Sequence, residues 1–401
     1  SRLARAKQDF HSMAQSTITV VLTWTTVTSA MQPPTSLFSR RETVASVVTA
    51  STAATIGSNS LVAQAADGIF DPPSSSYSPE RMALFDTRTE SFMPPAPQLY
   101  IANALADSTD KNSAVPRVLF AGETHTHPLH HYMQLELIKA VNALDDAPLA
   151  IGLEMFHRQH QRALDAFVFG DGSFAALKQR TRWQSSWGYD MSLYAKILSF
   201  ARRNKIRLVG LNVPYDLVKI VSTYGLAGTP AELRALMPDM DLGQQPHFDR
   251  FVSAMRGAGH NPSGPDGVAA LMRSYEAMTL WDEYMAESIA GYMQKPRAGR
   301  MVVLVGSSHV AGRCGVPDRF TRRSEEPTFS VLPCSVPWGR NGTPNIDEPL
   351  GTSEAEWILY TQEQIDSSSS RSSSFASAAA EPKISTQALG IGTPLAPVYQ
   401  I

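Results

Sequence analysis

Cysteine is almost missing: Cys314 and Cys334 are the only two in 401 residues. Two thiols cannot build a disulfide scaffold or a Cys-rich zinc module. They can pair with each other only in an oxidising compartment. An excess of positive charge is missing too. Lys and Arg number 35 against 37 Asp and Glu, which leaves a net charge of −2. Without a basic run, nucleic acid is not expected as a partner. No uninterrupted apolar stretch is long enough to span a bilayer. No repeat of solenoid length occurs, and no Gly-x-Ser-x-Gly elbow marks a standard serine esterase. Nothing in the composition decides the oligomeric state, and assembly into oligomers stays open.

What the chain does have is an apolar fraction of 43%, ample for one large core or two domains. Residues 1–66 stand apart. Arg2, Arg5, Lys7, Arg40 and Arg41 outnumber Asp9 and Glu42 in a stretch rich in Ser, Thr, Ala and Val. Such an acid-poor, hydroxyl-rich composition marks a targeting leader. Ile18 to Trp24 reads as a weak signal-peptide core. Arg40-Arg41, the mildly apolar Val44 to Val62 and then Ala63-Gln64-Ala65 resemble a twin-arginine export signal. This order predicts import into a plastid, to the thylakoid lumen, with another exported compartment as the alternative. Residues 67–97 are rich in Pro and Ser and read as a linker. Residues 98–362 read as the compact domain. Residues 363–401 form a Ser/Ala-rich tail, low in charge and expected to be disordered.

Within the domain, short apolar runs alternate with helical spacing. Strands are expected at Val118–Ala121, Leu149–Phe156, Arg207–Leu211, Met301–Val305, Thr328–Leu332 and Trp357–Tyr360. The longest helix opens at Gly264-Pro265-Asp266 and ends before Pro296, with Val268, Leu271, Tyr275, Met278, Trp281, Met285, Ile289 and Tyr292 spaced by three or four. The segment from Gly228 to Pro265 reads as a helical insertion. Continuous apolar strands separated by helices imply an α/β fold, a mostly parallel sheet with helices on both faces.

The chemistry gathers at strand ends. Arg117 to Tyr132 places Glu123, His125, His127, His130 and His131 within a few residues of one strand, in a chain with ten His. Gly122-Glu-Thr-His125 follows one apolar strand and Gly306-Ser-Ser-His309 another, while Glu154 lies near the end of a third. In an open α/β sheet the carboxyl ends of the strands face the ligand crevice. If these strands are neighbours, Glu123, His125, Glu154 and His309 converge there. Carboxylates and imidazoles so placed can hold a divalent metal through His125, Glu154 and His309, or orient and deprotonate a water. His127, His130 and His131 read equally well as residues that cap the next helix. His157 and His160 read as surface residues at a helix start, and His247 and His260 carry no signal.

These residues, in this order, resemble the ChaN-like haem-binding family of the Tiki superfamily. The resemblance runs over about residues 115–335. It is carried by Leu119-Phe-Ala-Gly-Glu-Thr-His125 with His130, His131 and Gln134, by Gly152-Leu-Glu154-Met-Phe156 with Gln161, Leu164 and Asp165, by Trp183, Trp187 and Tyr194, by Val209-Gly-Leu-Asn212-Val-Pro214, by Trp281-Asp282-Glu-Tyr-Met285-Ala286, and by Val303-Leu-Val-Gly-Ser-Ser-His309 with Gly315-Val-Pro317. It implies an α/β fold with a parallel sheet and a haem-binding or iron-handling role. It also implies a Tyr as the iron ligand in the family. More distant members resemble metal-dependent proteases and erythromycin-esterase-like hydrolases.

Two functions follow as expectations. One is a binding protein for haem or a related tetrapyrrole, which needs a wide apolar slot and an axial ligand. Met272, Met278, Met285, Trp281, Trp183, Trp187, Tyr189 and Tyr194 are candidates to line the slot. Tyr189 and Tyr194, beside Trp187, are candidate phenolate ligands, with His125 and His309 as rivals. The other is a metal-dependent hydrolase in which His125, Glu154 and His309 hold the metal or activate water and Glu123 is the general base.

Overall fold

A computed structural model describes residues 81–93 and 116–363. The leader, most of the linker and the tail beyond residue 363 lie outside the described residues. Eight strands form one sheet: β1 (Met82–Asp86), β2 (Ser91–Phe92), β3 (Val118–Glu123), β4 (Leu149–His157), β5 (Arg207–Asn212), β6 (Arg300–Gly306), β7 (Thr328–Val336) and β8 (Trp357–Gln362). Their order is β2-β1-β8-β7-β3-β6-β4-β5. The pairs from β8 to β5 are parallel, and β1 and β2 add an antiparallel edge.

That edge corrects the reading of 67–97 as a linker. Met82-Ala-Leu-Phe-Asp86 pairs residue for residue with β8 and buries Leu84 and Phe85. The run is only five residues long and is flanked by Pro and Ser, so the neighbours' composition hid it. The sheet therefore draws on chain upstream of residue 98, where the compact domain was expected to begin.

The parallel strands are apolar throughout because both sheet faces are covered. On one face Leu119, Ala121, Ile151, Leu153, Val302 and Leu304 pack against α1 (Pro128–Asn142), α2 (Gln161–Phe169) and α5 (Ser192–Arg203). Two short helices, α3 (Phe174–Arg180) and α4 (Trp183–Ser186), precede α5. On the other face Val118, Phe120, Ala150, Met301, Val303 and Val305 meet Met285, Ala286, Ile289 and Met293 of a 30-residue helix. That helix, α9 (Gly264–Met293), follows α6 (Tyr215–Gly228) and an insertion carrying α7 (Ala231–Arg234) and α8 (Gln245–Gly257). Pro265 in its first turn supplies the fixed φ that a helix start favours. Phe251 and Met255 of α8 pack on Tyr275 of α9, which ties the insertion to the layer beneath the sheet. A last helix, α10 (Val316–Thr321), contributes Phe320 to the same core.

Candidate functional site

Strand β6 lies between β3 and β4, so the carboxyl ends of three segments far apart in sequence stand side by side. The strand-end pattern repeats with period two. On β3, Leu119 and Ala121 face α1, and Glu123 follows them onto that side, where it is 2% exposed. A carboxylate at such a depth needs partners, and it has them. Glu123 Oε1 accepts from Tyr194 Oη at 2.5 Å and lies 2.9 Å from His125 Nδ1. Its Oε2 accepts from Gln134 at 2.8 Å and lies 3.5 Å from His131 Nδ1. Burial alone would raise its pKa; the His131 and His125 imidazoles and the Tyr194 hydroxyl outweigh burial and bring it down to about 2. Glu123 is thus ionised, and it holds His125 with Nδ1–H inward. Burial and the Glu123 charge together push the Tyr194 phenol well above its ordinary value.

A register irregularity sets the second group. On β4, Leu153 pairs with Gly210 but His157 pairs with Asn212, so β4 carries extra residues between them. Bulges of this kind re-aim side chains at sheet ends. Glu154, inside the irregular stretch, accepts from the Gly306 N–H at 2.6 Å and lies 3.4 Å from His309 Nε2. A Cβ on Gly210 would stand 2.5 Å from the His157 carbonyl oxygen, so the close approach of β5 requires glycine there.

His309 follows β6 in a single 3₁₀ turn and is buried. Its Nδ1 lies 2.5 Å from Oδ1 of Asp282 in α9. Burial pulls its pKa down, but Asp282 and Glu154 on its two nitrogens overcome this and raise it to about 10. Burial likewise opposes ionisation of Glu154 and Asp282, and the nearby imidazoles lower both. His309 is therefore a fixed cation between two carboxylates at neutral pH. Asp282 is fully buried and carried no separate signal in the sequence beyond its place in the Trp281-to-Ala286 stretch.

His125, Glu154 and His309 border a small crevice of about 70 Å³, which His157, Ser186, Trp187, Tyr189, Asn212, Val213, Tyr215 and Trp281 also line. The His125 ring packs edge-on to Trp187 at 4.7 Å and against Tyr189 at 4.9 Å. A Cβ on Gly306 would lie 3.5 Å from His125 Nε2 and 3.5 Å from His309 Cδ2, so both rings crowd the same glycine.

Of the residues expected to line a slot, Trp187, Tyr189 and Trp281 do so. Tyr194 does not: it is 1% exposed, packs on His131 and Trp183, and spends its hydroxyl on Glu123. Trp183 and Met285 are core residues, and Met272 is exposed. Glu123 sits behind His125 and does not reach the crevice, so it can act only through that ring. Both His309 nitrogens face carboxylates, Asp282 on one side and Glu154 on the other. Among the described residues no three His, Cys, Asp or Glu side chains are arranged to hold a metal ion. Cys314 and Cys334 are both free thiols.

His157, expected at the surface, lines the crevice instead, stacked on His160 with ring centroids 4.8 Å apart. Burial and the neighbouring His160 lower its pKa to about 4, so it is neutral. His127 and His130 stack at 4.0 Å; His130 Nδ1 accepts from the Thr124 N–H at 2.9 Å, and burial lowers both pKa values. These two brace the loop after β3 but do not cap the next helix: His127 stands at its N-cap without a side-chain hydrogen bond to it. Asn212, Val213 and Tyr215 were missed as lining residues, because only the β4–β5 register brings them over the crevice.

The model for the family described as haem-binding uptake, Tiki superfamily, ChaN, matches residues 111–320. A structure of ChaN from Campylobacter jejuni with cofacially bound haem is 17% identical and superposes with a TM-score of 0.51, over 70% of this chain and 97% of that one. An erythromycin esterase structure, 15% identical, covers 62% of this chain and 76% of its own at a TM-score of 0.34, too slight a likeness to indicate shared chemistry. The chain is 23% identical over 231 residues to the chloroplastic protein RETICULATA-RELATED 5 of Arabidopsis thaliana. That match takes in 52% of this chain but spans only 29% of the relative's length.

Proposed function

Because the chain belongs to the ChaN-like haem-binding uptake family of the Tiki superfamily, we propose that it binds haem or a related tetrapyrrole at the crevice over β3, β4 and β6. One observation carries the reading. His125 has its Nδ1 held by ionised Glu123, which leaves Nε2 as the outer nitrogen, and its ring joins Trp187 and Tyr189 in one aromatic cluster at the crevice. A carboxylate-oriented imidazole with an outer Nε2 fits a haem iron. The rings of Trp187, Tyr189, Tyr215 and Trp281 fit a flat apolar macrocycle. Of the four rival iron ligands, Tyr194 is buried behind the crevice and His309 is held by two carboxylates, whereas His125 and Tyr189 line the crevice side by side. Bound iron supplies a Lewis-acidic, redox-active centre; the chain's part is to orient the ligand and exclude water around it. Titration of the full chain with haemin tests this: a saturable Soret shift is expected, and a purely linear, non-saturating change argues against it.

A second reading rests on a different observation. Glu123–His125 and Asp282–His309 are two carboxylate-backed imidazoles at one crevice, with Glu154 between them. In a hydrolase His125 would take a proton from water and Glu123 would stabilise the resulting imidazolium. The divalent metal expected with a hydrolase has no fitting set of ligands among the described residues, so this reading runs on the imidazoles and carboxylates alone. Hydrolysis lost in Glu123→Ala, together with no saturable haemin binding, would favour it.

Residues 1–66 act in this account as a targeting leader. The chloroplastic relative supports a plastid, and the twin-arginine pattern supports its thylakoid lumen. N-terminal sequencing of the native protein tests both, since cleavage near Ala65 is expected.

A further inference from the structure

His247 lies outside the crevice, on α8 of the insertion, and is 2% exposed. Three groups enclose its ring. Nε2 lies 2.9 Å from Oδ2 of Asp282. Nδ1 lies 3.1 Å from a guanidinium nitrogen of Arg319 and 3.3 Å from Tyr275 Oη. A guanidinium can only donate. Nδ1 of His247 is therefore the bare, accepting nitrogen, and the ring proton sits on Nε2, directed at Asp282. Arg319 is itself immobile: it is fully buried, donates to the Cys314 carbonyl at 2.6 Å and pairs with Glu283 at 3.2 Å.

The two oxygens of Asp282 thus play different parts. Oδ1 meets His309. Oδ2 is buried; the tilted His247 N–H stands 2.9 Å from it, and the Arg319 cation is 3.9 Å away. The terminal torsion of an Asp is soft and nearly two-fold. With Oδ2 released, the carboxylate could turn, and His309 would turn with it. We propose that His247, locked by Arg319, is a positioning residue that sets the rotation of Asp282 and thereby the direction in which His309 faces Glu154 and the crevice. The insertion then serves a definite purpose, since a side chain from α8 fixes a crevice ring through one buried carboxylate. The effect on ligand binding rests on the crevice being the ligand site proposed above, whereas the effect on His309 does not.

Two polar substitutions separate positioning from packing. In His247→Gln the amide nitrogen falls near the place of Nε2 and can still donate to Asp282. In His247→Asn it falls near Nδ1 and cannot reach. The full chain, with ¹⁵N-labelled histidine and no haemin, is compared by NMR, and each variant is then titrated with haemin. The expected result is that His247→Asn moves the His309 ring signals and weakens haemin binding about tenfold, the scale of one lost buried contact to a charged group, while His247→Gln keeps both near wild type. Unmoved His309 signals in His247→Asn overturn the proposal. Equal movement in both variants also overturns it, because packing alone then explains the site. If wild-type protein takes up no haemin, the binding function fails while the NMR comparison still decides the relay.

Discussion

Nδ1 of His309 lies 2.5 Å from Oδ1 of Asp282, a contact between the turn after β6 and the middle of α9 that ties the sheet's carboxyl edge to the helix beneath it. With Glu154 on the other nitrogen, the ring is a buried cation whose charge depends on the fold. An unfolded His titrates near 6.5, and this one is raised to about 10.

That difference gives a pH signature. A group with a raised folded-state pKa contributes stability that is fully present below its unfolded pKa and lost as the pH rises through its folded one. Urea unfolding of the full chain should therefore show stability falling between pH 6.5 and 10. His309→Gln should be less stable near pH 6.5 and flatter across that window. Parallel slopes for the two proteins would argue that His309 is not held as a cation.

The two candidate phenols should separate by experiment. Tyr194→Phe removes a buried donor to Glu123 and is expected to cost about 1–3 kcal/mol of stability while leaving the crevice walls in place. Tyr189→Phe should leave stability nearly unchanged and alter the visible spectrum of the haemin complex only if the phenol touches iron. Chemical denaturation and absorption spectra of both variants check this.

The sheet was largely legible because its strands are buried on both faces and so read as unbroken apolar runs. Gly122 and Gly306 marked the strand ends for the same reason, each followed three residues later by His. What stayed hidden depended on distance along the chain. Asp282 looked like one polar residue on a long amphipathic helix, and nothing local told it from Glu283 or Glu287. His247 had no pattern because its partners come from α9 and α10. Tyr194 lies beside Trp187 in the sequence, which suggested a crevice wall; the α5 face turns it inward to Glu123 instead. The five-residue strand β1 was lost among Pro and Ser.

Glu123→Gln keeps the shape of the carboxyl group but removes the charge that holds His125. Loss of a carboxylate behind a ligating imidazole commonly costs about 10–100-fold in affinity, and a fall of that size in haemin binding is expected. An unchanged dissociation constant would mean that His125 does not need Glu123 for binding.

Backbone crowding offers an independent check on how β4 aims Glu154 and His157. A Cβ on Gly210 would meet the His157 carbonyl at 2.5 Å, whereas a Cβ on Gly291 meets nothing within 4 Å. Gly210→Ala should cost about 1–3 kcal/mol by overpacking and weaken haemin binding as well. Gly291→Ala, on an exposed position of α9, should gain roughly 0.5–1 kcal/mol through helix propensity. Thermal melts of the two variants give the comparison.

The most direct test replaces the ring itself. His125→Gly is titrated with haemin, first alone and then with free imidazole in the buffer. If His125 Nε2 is the group that meets the ligand, the saturable Soret shift of the wild type disappears and added imidazole restores it. A variant that binds haemin as the wild type does, with the same spectrum and no response to imidazole, would contradict the account.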